Sequence, residues 1–418
     1  MLKFLHIGDV HLDTSFYSKS EELRRVLREG IRRAFSRAID TCIDEGVTAL
    51  LIAGDLFDND KLSFKTEQFL VREFSRLKEI GIKVFYATGN HDPGNISYRV
   101  NSIEWPDNVY LFKDDRIEIV EMISRHTKIP YKILSCGHKT NNEGRNLVKD
   151  FPIKESDDIH IGLIHAMVTN AKDISKHDRY LPCTIEDMEI KGYDYWALGH
   201  IHKRQRVSEA SSIYYPGNIQ GRNPRETEKK GGLLITIDEK HNINVKFKHF
   251  ATIEWHTLKI RGLDDIKEYM DLKKHMSGQI KDYIKESSVA NKDLILRVEL
   301  EGRAYLKNEL SSRENIDEIA GELILDLDLL DLEIKTDNLF ALRDINDYEE
   351  GNHVLSKILE LLKNVEGNKE LLDRLMDTPL ARKGFRRKEE KLAYIGELLD
   401  GCEEEVLNYM VGDDYADN

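Results

Sequence analysis

Eight side chains standing at the ends of apolar runs carry the chemistry of this chain. Val84-Phe85-Tyr86-Ala87 reads as a strand and runs into Gly89-Asn90-His91-Asp92. Asn90 offers an amide oxygen to a metal, and His91 can act as ligand or as acid and base. Residues 2–7 read as a strand ending at Gly8-Asp9-Val10-His11, and 49–53 as one ending at Gly54-Asp55-Leu56-Phe57-Asp58. Residues 159–164 lead to His165-Ala166, and 193–198 to Gly199-His200-Ile201-His202. Each tetrapeptide alone is an ordinary turn rich in Gly, Asn and Asp. DxH and HxH, however, place two side chains on one side of an extended backbone, so both can reach one ion.

Together, Asp9, His11, Asp55, Asn90, His91, His165, His200 and His202 supply hard oxygen and imidazole donors but no thiolate. That set suits Mn²⁺, Mg²⁺, Fe²⁺ or Zn²⁺ in a catalytic rather than a structural site. The donors are too many for one ion. Two ions about 3.5–4 Å apart, bridged by one carboxylate, would use them all. Asp55, alone on its loop, is the natural bridge. Such a centre activates a bridging water and neutralises phosphoryl oxygens, so the chemistry implied is hydrolysis of a phosphate ester.

The positioning elements follow from periodicity. Residues 21–45 read as a long helix with Leu23, Val26, Leu27, Ile31, Ala34, Phe35, Ala38 and Ile39 as its apolar stripe. A helix over about 66–80 precedes the strand at 82–88. This alternation predicts a largely parallel sheet covered by helices, with its loop motifs along one edge, where α/β proteins place their sites. Further strands are expected near 109–112, 116–120 and 131–135. Strands dominate 193–250, which suggests a second sheet packed on the first. After residue 250 the pattern becomes a small α+β unit, with strands at 252–261, 294–300 and 328–336 and helices at 264–287 and 314–325. It has no His or Asp concentrated at strand ends. From about 344 the chain reads as helical and acidic, with 412–418 as a polar, disordered tail. An apolar face over 354–365 packs within its own domain or docks a partner helix. The expected division is 1–250, 251–340 and 341–418. There is no internal repeat.

Composition is that of an ordinary globular protein, 40% hydrophobic and 33% charged over 418 residues. No apolar run is long enough to span a bilayer. His6 and Asp9 interrupt the first apolar run too early for a signal peptide. The four cysteines (Cys42, Cys136, Cys183 and Cys402) are widely spaced, without CxxC, and read as buried thiols of a cytoplasmic protein. Net charge is −14, but residues 301–418 carry about −15 of it, leaving 1–300 near neutral. Lys203, Arg204, Arg206, Arg222, Arg225, Lys229 and Lys230 form a basic segment with only Glu209, Glu226 and Glu228 against it. Arg24, Arg25, Arg28, Arg32, Arg33 and Arg37 lie on the first helix and read as its solvated face.

The order GDVH…GDLFD…GNHD…IHA…GHIH resembles the calcineurin-like metallophosphoesterase superfamily, with all five motifs in sequence. Gly54-Asp55-Leu56-Phe57-Asp58, the Tyr215-Pro216-Gly217-Asn218 turn and the α+β unit that follows resemble its DNA-repair exonuclease branch, the SbcD/YhaO-like proteins. The motif match covers about 1–250, and beyond it only the architecture is similar. The resemblance implies a two-sheet α/β/β/α metallophosphoesterase sandwich, a small α+β capping domain and a helical C-terminal region. It implies one metal on Asp9, His11, Asp55 and His202, and another on Asp55, Asn90, His165 and His200. His91 would face the scissile phosphate and protonate the leaving oxygen, supported by Asp58. Related nucleases often have His at that position, and Asp58 also reads as an exposed loop carboxylate or a helix cap. Asn218 would touch substrate or fix its turn, and the 203–230 segment would hold DNA backbone by charge.

The function implied is a two-metal-dependent DNA exo/endonuclease, most naturally with Mn²⁺, in double-strand-break repair. An SMC-like (SbcC/Rad-type) ATPase subunit, docked after residue 340, and a homodimer come with the resemblance. Small-molecule phosphodiesterases or phosphatases of the same superfamily are the alternative. Phosphoprotein phosphatases, however, read GNHE where this chain has GNHD, and DRG near Asn59-Asp60-Lys61. A DNA-end-binding scaffold is the non-enzymatic alternative. His6 and His160 alternate with apolar strand residues and read as core. His126, His138, His177, His241, His249, His256, His275 and His353 have no ligand context.

Overall fold

The computed structural model describes residues 1–58, 62–95, 103–125, 127–169, 180–287, 293–342, 354–365, 368–376 and 402–411, together with 348, 394–395 and 398–399. Two compact units emerge. The first is Met1–Thr257 with Val289–Leu296 and Leu329–Asp331, and the second Leu258–Ser288 with Arg297–Asp328 and Leu332–Asn418.

The first unit begins with β1 (Leu2–Ile7), α1 (Glu21–Asp44), β2 (Ala49–Ala53), α2 (Phe64–Glu79), β3 (Lys83–Ala87) and β4 (Val109–Phe112). Ser20 and Ser63 start the two helices by accepting from the backbone N–H of Leu23 and Thr66. The four strands pair in parallel in chain order. Next come β5 (Glu118–Ile123), β6 (Pro130–Ser135), β7 (Ile159–His165), the short pair β8 (Met167–Val168) and β9 (Pro182–Cys183), α3 (Ile185–Glu189), β10 (Tyr195–Gly199), β11 (Gln205–Arg206), β12 (Ile213–Tyr215), β13 (Gly231–Ile237) and β14 (Ile243–His249). One six-stranded sheet runs β14-β13-β1-β2-β3-β4 and the other β11-β12-β10-β7-β6-β5.

The second sheet was expected to absorb the strands of 193–250. It takes only β10, β11 and β12. β13 and β14 return to the first sheet, β13 lying antiparallel to β1. The correction has a packing cause. Leu233, Ile235 and Ile237 of β13 join the apolar layer between the sheets, beside Leu2 and Phe4.

Strand alternation sets the layers. Leu5, Ile7, Leu50, Ile52, Val84 and Tyr86 face α1 and α2. Phe4, Leu51, Phe85, Ile161, Leu163, Tyr195 and Ala197 meet between the sheets. Trp196, Leu198 and Ile164 pack outward on Leu147, Val148, Phe151 and Met188. The central strands are buried on both faces, and this is why they read as unbroken apolar runs. The outer helical layer on the second sheet is slight, holding only α3 and a single 3₁₀ turn at Leu147–Asp150 among the described residues.

The second unit centres on a sheet ordered β15 (Glu254–Ile260), β16 (Leu294–Ala304) and β17 (Asp331–Ala341). It carries α4 (Tyr269–Ser287) and α5 (Arg313–Leu327). The helix expected from 264 begins only at Tyr269. Leu263 bridges to Ala304 and accepts from Ile266 N–H, so a turn takes up 264–268. Further on, α6 (Val354–Lys363), α7 (Lys369–Met376) and α8 (Cys402–Val411) are helical. Leu355 and Leu359 of α6 pack on Leu407 of α8, whereas Val354 and Leu361 stay exposed. The expected tail at 412–418 lies outside the described residues.

Gly162 of β7 stands opposite Trp196 in the register, and a Cβ there would come 2.2 Å from the indole ring. That ring is fixed by Tyr193 and Phe151. Gly162→Ala is expected to cost about 1–3 kcal/mol through overpacking, read as a lower urea midpoint with an unchanged m-value.

Candidate dimetal centre

The site forms where the carboxyl ends of β1, β2 and β3 meet those of β7 and β10. Hydrogen bonding of the first sheet continues past its strands. Asp9 N–H donates to Gly54 O at 3.1 Å, His11 N–H to Asp55 O at 2.9 Å and Asp58 N–H to Leu12 O at 2.8 Å. The second sheet closes on this edge at Gly199, where a Cβ would lie 1.7 Å from Ala53 O. Only glycine permits that approach. Immediately after it, the backbone N–H of His200 donates to both oxygens of Asp9, at 3.0 and 3.1 Å. Asp9, His11, Asp55 and His200 all hold positive φ, between 50° and 104°. Backbone strain of this kind costs on the order of 1–3 kcal/mol per residue, and it collects at functional sites.

Three imidazoles point one nitrogen out of the site and one into it. His11 Nδ1 lies 2.9 Å from Asp58 Oδ1, His165 Nδ1 2.9 Å from Ala53 O, and His202 Nδ1 2.9 Å from Glu226 Oε1. Partners of this kind take the ring proton and leave the other nitrogen a lone pair for a cation. The inward atoms converge. His11 Nε2 and His202 Nε2 are 3.3 Å apart, and His202 Nε2 is 3.7 Å from Asp9 Oδ1. His165 Nε2 is 3.0 Å from Asn90 Oδ1 and 3.4 Å from Asp55 Oδ2, and that same Asp55 oxygen is 3.7 Å from His11 Nε2. Two facing lone pairs at 3.3 Å repel each other unless a cation or proton lies between them. This donor set therefore fits divalent metal on both sides of Asp55.

The electrostatics agree. Burial pushes the Asp9 carboxyl up to about 7 against the pull of His202. Burial lowers His11 to about 4 and drives His165 well below the imidazole range, so both rings are neutral. Burial also opposes ionisation of Asp55, but attraction to His165, His11 and His91 in their charged forms outweighs it and holds that carboxyl below its usual range. His91 differs. Its backbone N–H donates to Asp55 Oδ1 at 2.9 Å, its Nδ1 lies 2.7 Å from Asp58 Oδ1, and its side chain is 40% exposed. Burial disfavours its charge, yet Asp58 and Asp55 raise it to about 9, leaving a cationic ring at the mouth of the site.

Of the sequence candidates, Asp9, His11 and His202 form one cluster and Asp9, Asp55 and His165 another. Asn90 touches the second through His165. His200 enters neither group, and its ring stands edge-on to His165 at 5.3 Å. Asp58 joins His11 and His91, and its second oxygen accepts from Thr14 Oγ1 at 2.8 Å. Asn218 is buried, with its amide donating to Gln220 O and Glu226 Oε2. The basic segment is partly committed inward. Arg222 reaches Asp58 Oδ2 at 3.4 Å, Lys230 donates to His202 O, and Arg204 stacks on Phe247. His6 is buried between the sheets against Tyr195 Oη and Leu198 O. His126, His177 and His353 lie outside the described residues.

Sequence reasoning passed over Asp92, Glu226, Arg222 and His138. His138 is buried with Nε2 2.7 Å from the carbonyl of His165, a contact that nothing in its sequence neighbourhood signals. Asp92 was in view as the last residue of its motif. Its buried carboxylate accepts from the N–H groups of Asp55, Leu56 and Gly89 and from Tyr86 Oη, joining the β2 and β3 loops. Asp92→Ala strands three buried N–H groups and is expected to destabilise the protein by about 3 kcal/mol or more. Urea unfolding reads the stability, and bound Mn²⁺ measured on the same variant should fall with it.

Residues 2–204 match the calcineurin-like phosphoesterase family. The uncharacterized metallophosphoesterase YhaO of Bacillus subtilis is 34% identical over 258 residues, which is 61% of this chain and 62% of that relative's own length. The DNA double-strand break repair protein Mre11 of Archaeoglobus fulgidus is 24% identical over 443 residues, covering 100% of this chain and 93% of its own. Mre11 of Sulfurisphaera tokodaii is 26% identical over 279 residues, 62% of this chain and 67% of its own. The converging Asp and His donors lie within that matched stretch, apart from supporting residues such as Glu226. Residues 2–204 are thus a calcineurin-like metallophosphoesterase domain.

Proposed function

We propose that the protein is a two-metal-dependent DNA exo/endonuclease that hydrolyses phosphodiester bonds in double-strand-break repair. The observation that carries the reading is Asp55. One of its oxygens lies 3.7 Å from His11 Nε2 and 3.4 Å from His165 Nε2, so this carboxylate is within reach of an imidazole from each cluster. Asp9, His11, Asp55 and His202 would hold one cation, and Asp55, Asn90, His165 and His200 the other. For His200 this requires its ring to turn into the cluster. When bound, two divalent ions, Mn²⁺ by preference, supply a metal-activated water and neutralise phosphoryl charge. Sequence similarity to the archaeal double-strand break repair proteins supports DNA as the substrate.

The chain's own residues supply the remainder. His91, cationic and open to solvent, donates from Nε2 to the leaving oxygen, while Asp58 holds Nδ1 and fixes the ring. Asp58 holds His11 with the same oxygen, so leaving-group acid and metal ligand share one support. Glu226 and the Ala53 carbonyl orient His202 and His165. In this reading residues 1–250 are the nuclease domain and 251–340 a capping, DNA-binding domain. Residues 341–418 dock an SMC-like ATPase, with the exposed Val354 and Leu361 of α6 as part of the contact, and the protein is a homodimer.

Mn²⁺-dependent cleavage of end-labelled duplex and single-stranded DNA is expected from the wild type and not with chelator. His91→Asn should lower the rate by about a hundredfold or more with metal content intact. Two bound metals, turnover of a small chromogenic diester and no DNA cleavage would overturn the nuclease reading. For the dock, a chain ending near residue 340 is expected to lose co-purification with the ATPase, and equal recovery would reject it.

A further inference from the structure

A cleft of about 500 Å³ lies between α1 and α2, away from the ligand clusters. Arg32, Arg33 and Arg37 of α1 and Lys65 and Arg72 of α2 line it against two carboxylates, Glu29 and Asp40. Three of the six arginines read from sequence as a solvated face, Arg32, Arg33 and Arg37, form one wall of this basic trough. Glu29 is shared by Arg32 and Lys65, and Asp40 is taken by Arg76, while Asp13 and Glu73 outside the lining pair with Arg32 and Arg72. Arg37 is held by the carbonyls of Phe250 and Ala251, which fix the guanidinium without cancelling its charge. Arg33 is exposed and has no ion-pair partner among the described residues.

Arg32 is the most buried of the basic residues in the lining. Arg32 is 8% exposed, with its terminal nitrogens on Asp13, Thr66 and Glu29, yet its buried Nε has no hydrogen-bond partner. A buried donor left unmade costs about 1–3 kcal/mol, and here it belongs to a cation in the cleft lining. Arg32 also ties the cleft to the site. Asp13 follows His11 by two residues and is gripped by Arg32 at 3.0 Å, while Arg28 donates to the carbonyls of Thr14 and Ser15 in the same loop.

We propose that this cleft is a second phosphate-binding site, which takes the sugar-phosphate backbone of the DNA strand engaged at the dimetal centre. The proposal rests on the nuclease reading and adds a contact that positions DNA without reading its sequence. The cationic lining favours a phosphate ligand, and the Arg32–Asp13 bond joins the cleft to the loop that carries His11, which favours a strand running from the site. A free nucleotide offers the same chemistry from another source.

The test uses the full chain with Arg33→Glu and Lys65→Glu combined, both exposed helix positions outside the catalytic machinery. Anisotropy of a labelled oligonucleotide over a salt series should show about a tenfold or greater loss of affinity. The slope of log K against log salt should become shallower by about two. Turnover of a small chromogenic diester should be unchanged. If the wild type binds DNA and the double variant matches it in affinity and slope, the cleft proposal fails and the nuclease reading stands. If the wild type binds no DNA, the nuclease reading fails and takes the proposal with it. AMP binding by calorimetry that is lost in the variant, with DNA affinity unchanged, would assign the cleft to a free nucleotide and overturn the DNA assignment.

Discussion

The site depends on how closely two sheets can bring their carboxyl ends together. Gly199 admits the Ala53 carbonyl into the space a Cβ would fill, and the Cα of Gly199 lies 3.5 Å from where a Cβ on Gly8 would stand. Because the backbones touch there, His200 N–H reaches Asp9 across the seam and His165 Nδ1 reaches Ala53 O. Cross-sheet hydrogen bonds of this kind hold candidate ligands from five strand ends in fixed positions, as a metal site needs. A side chain at residue 199 would wedge the sheets apart and separate Asp9 and His11 from His165.

That closeness sets an electrostatic problem, and the surroundings answer it. Asp9 and Asp55 are buried together with imidazoles whose protons are directed away, toward Asp58, Ala53 and Glu226. Without a cation the arrangement leaves lone pairs facing one another. With one, each becomes a ligand, so the folded chain stores an affinity for divalent metal. His91 has the opposite character. Partly exposed and paired with Asp58, it keeps its proton, so a cationic outer ring stands beside the neutral rings of His11 and His165.

Asp92 and Arg32 extend the same logic outward. Asp92 gathers N–H groups from the β2 and β3 loops, and Arg32 with Arg28 fastens the loop after β1 to α1. Neither touches the ligand atoms, yet each fixes a loop that carries them. The strained φ values of Asp9, His11 and Asp55 persist because these bonds over-determine the loops.

The motif residues and their order were legible in the sequence, because a strand buried on both faces must read as an apolar run and must end where polar atoms begin. Asp9, His11, Asp55, Asn90 and His165 stand where that pattern placed them, and α1 buries the stripe from Leu27 to Ile39. Tertiary structure alone decided what depends on neighbours distant in the chain. The return of β13 to the first sheet follows from the apolar layer it completes, and the same alternating pattern would have suited either sheet. The service of Glu226 to His202, the pairing of Arg222 with Asp58 and the burial of His138 beneath His165 join residues that no local period relates. A spacing of two on a strand tells which side a residue faces, but what it meets there is settled only when the other sheet arrives.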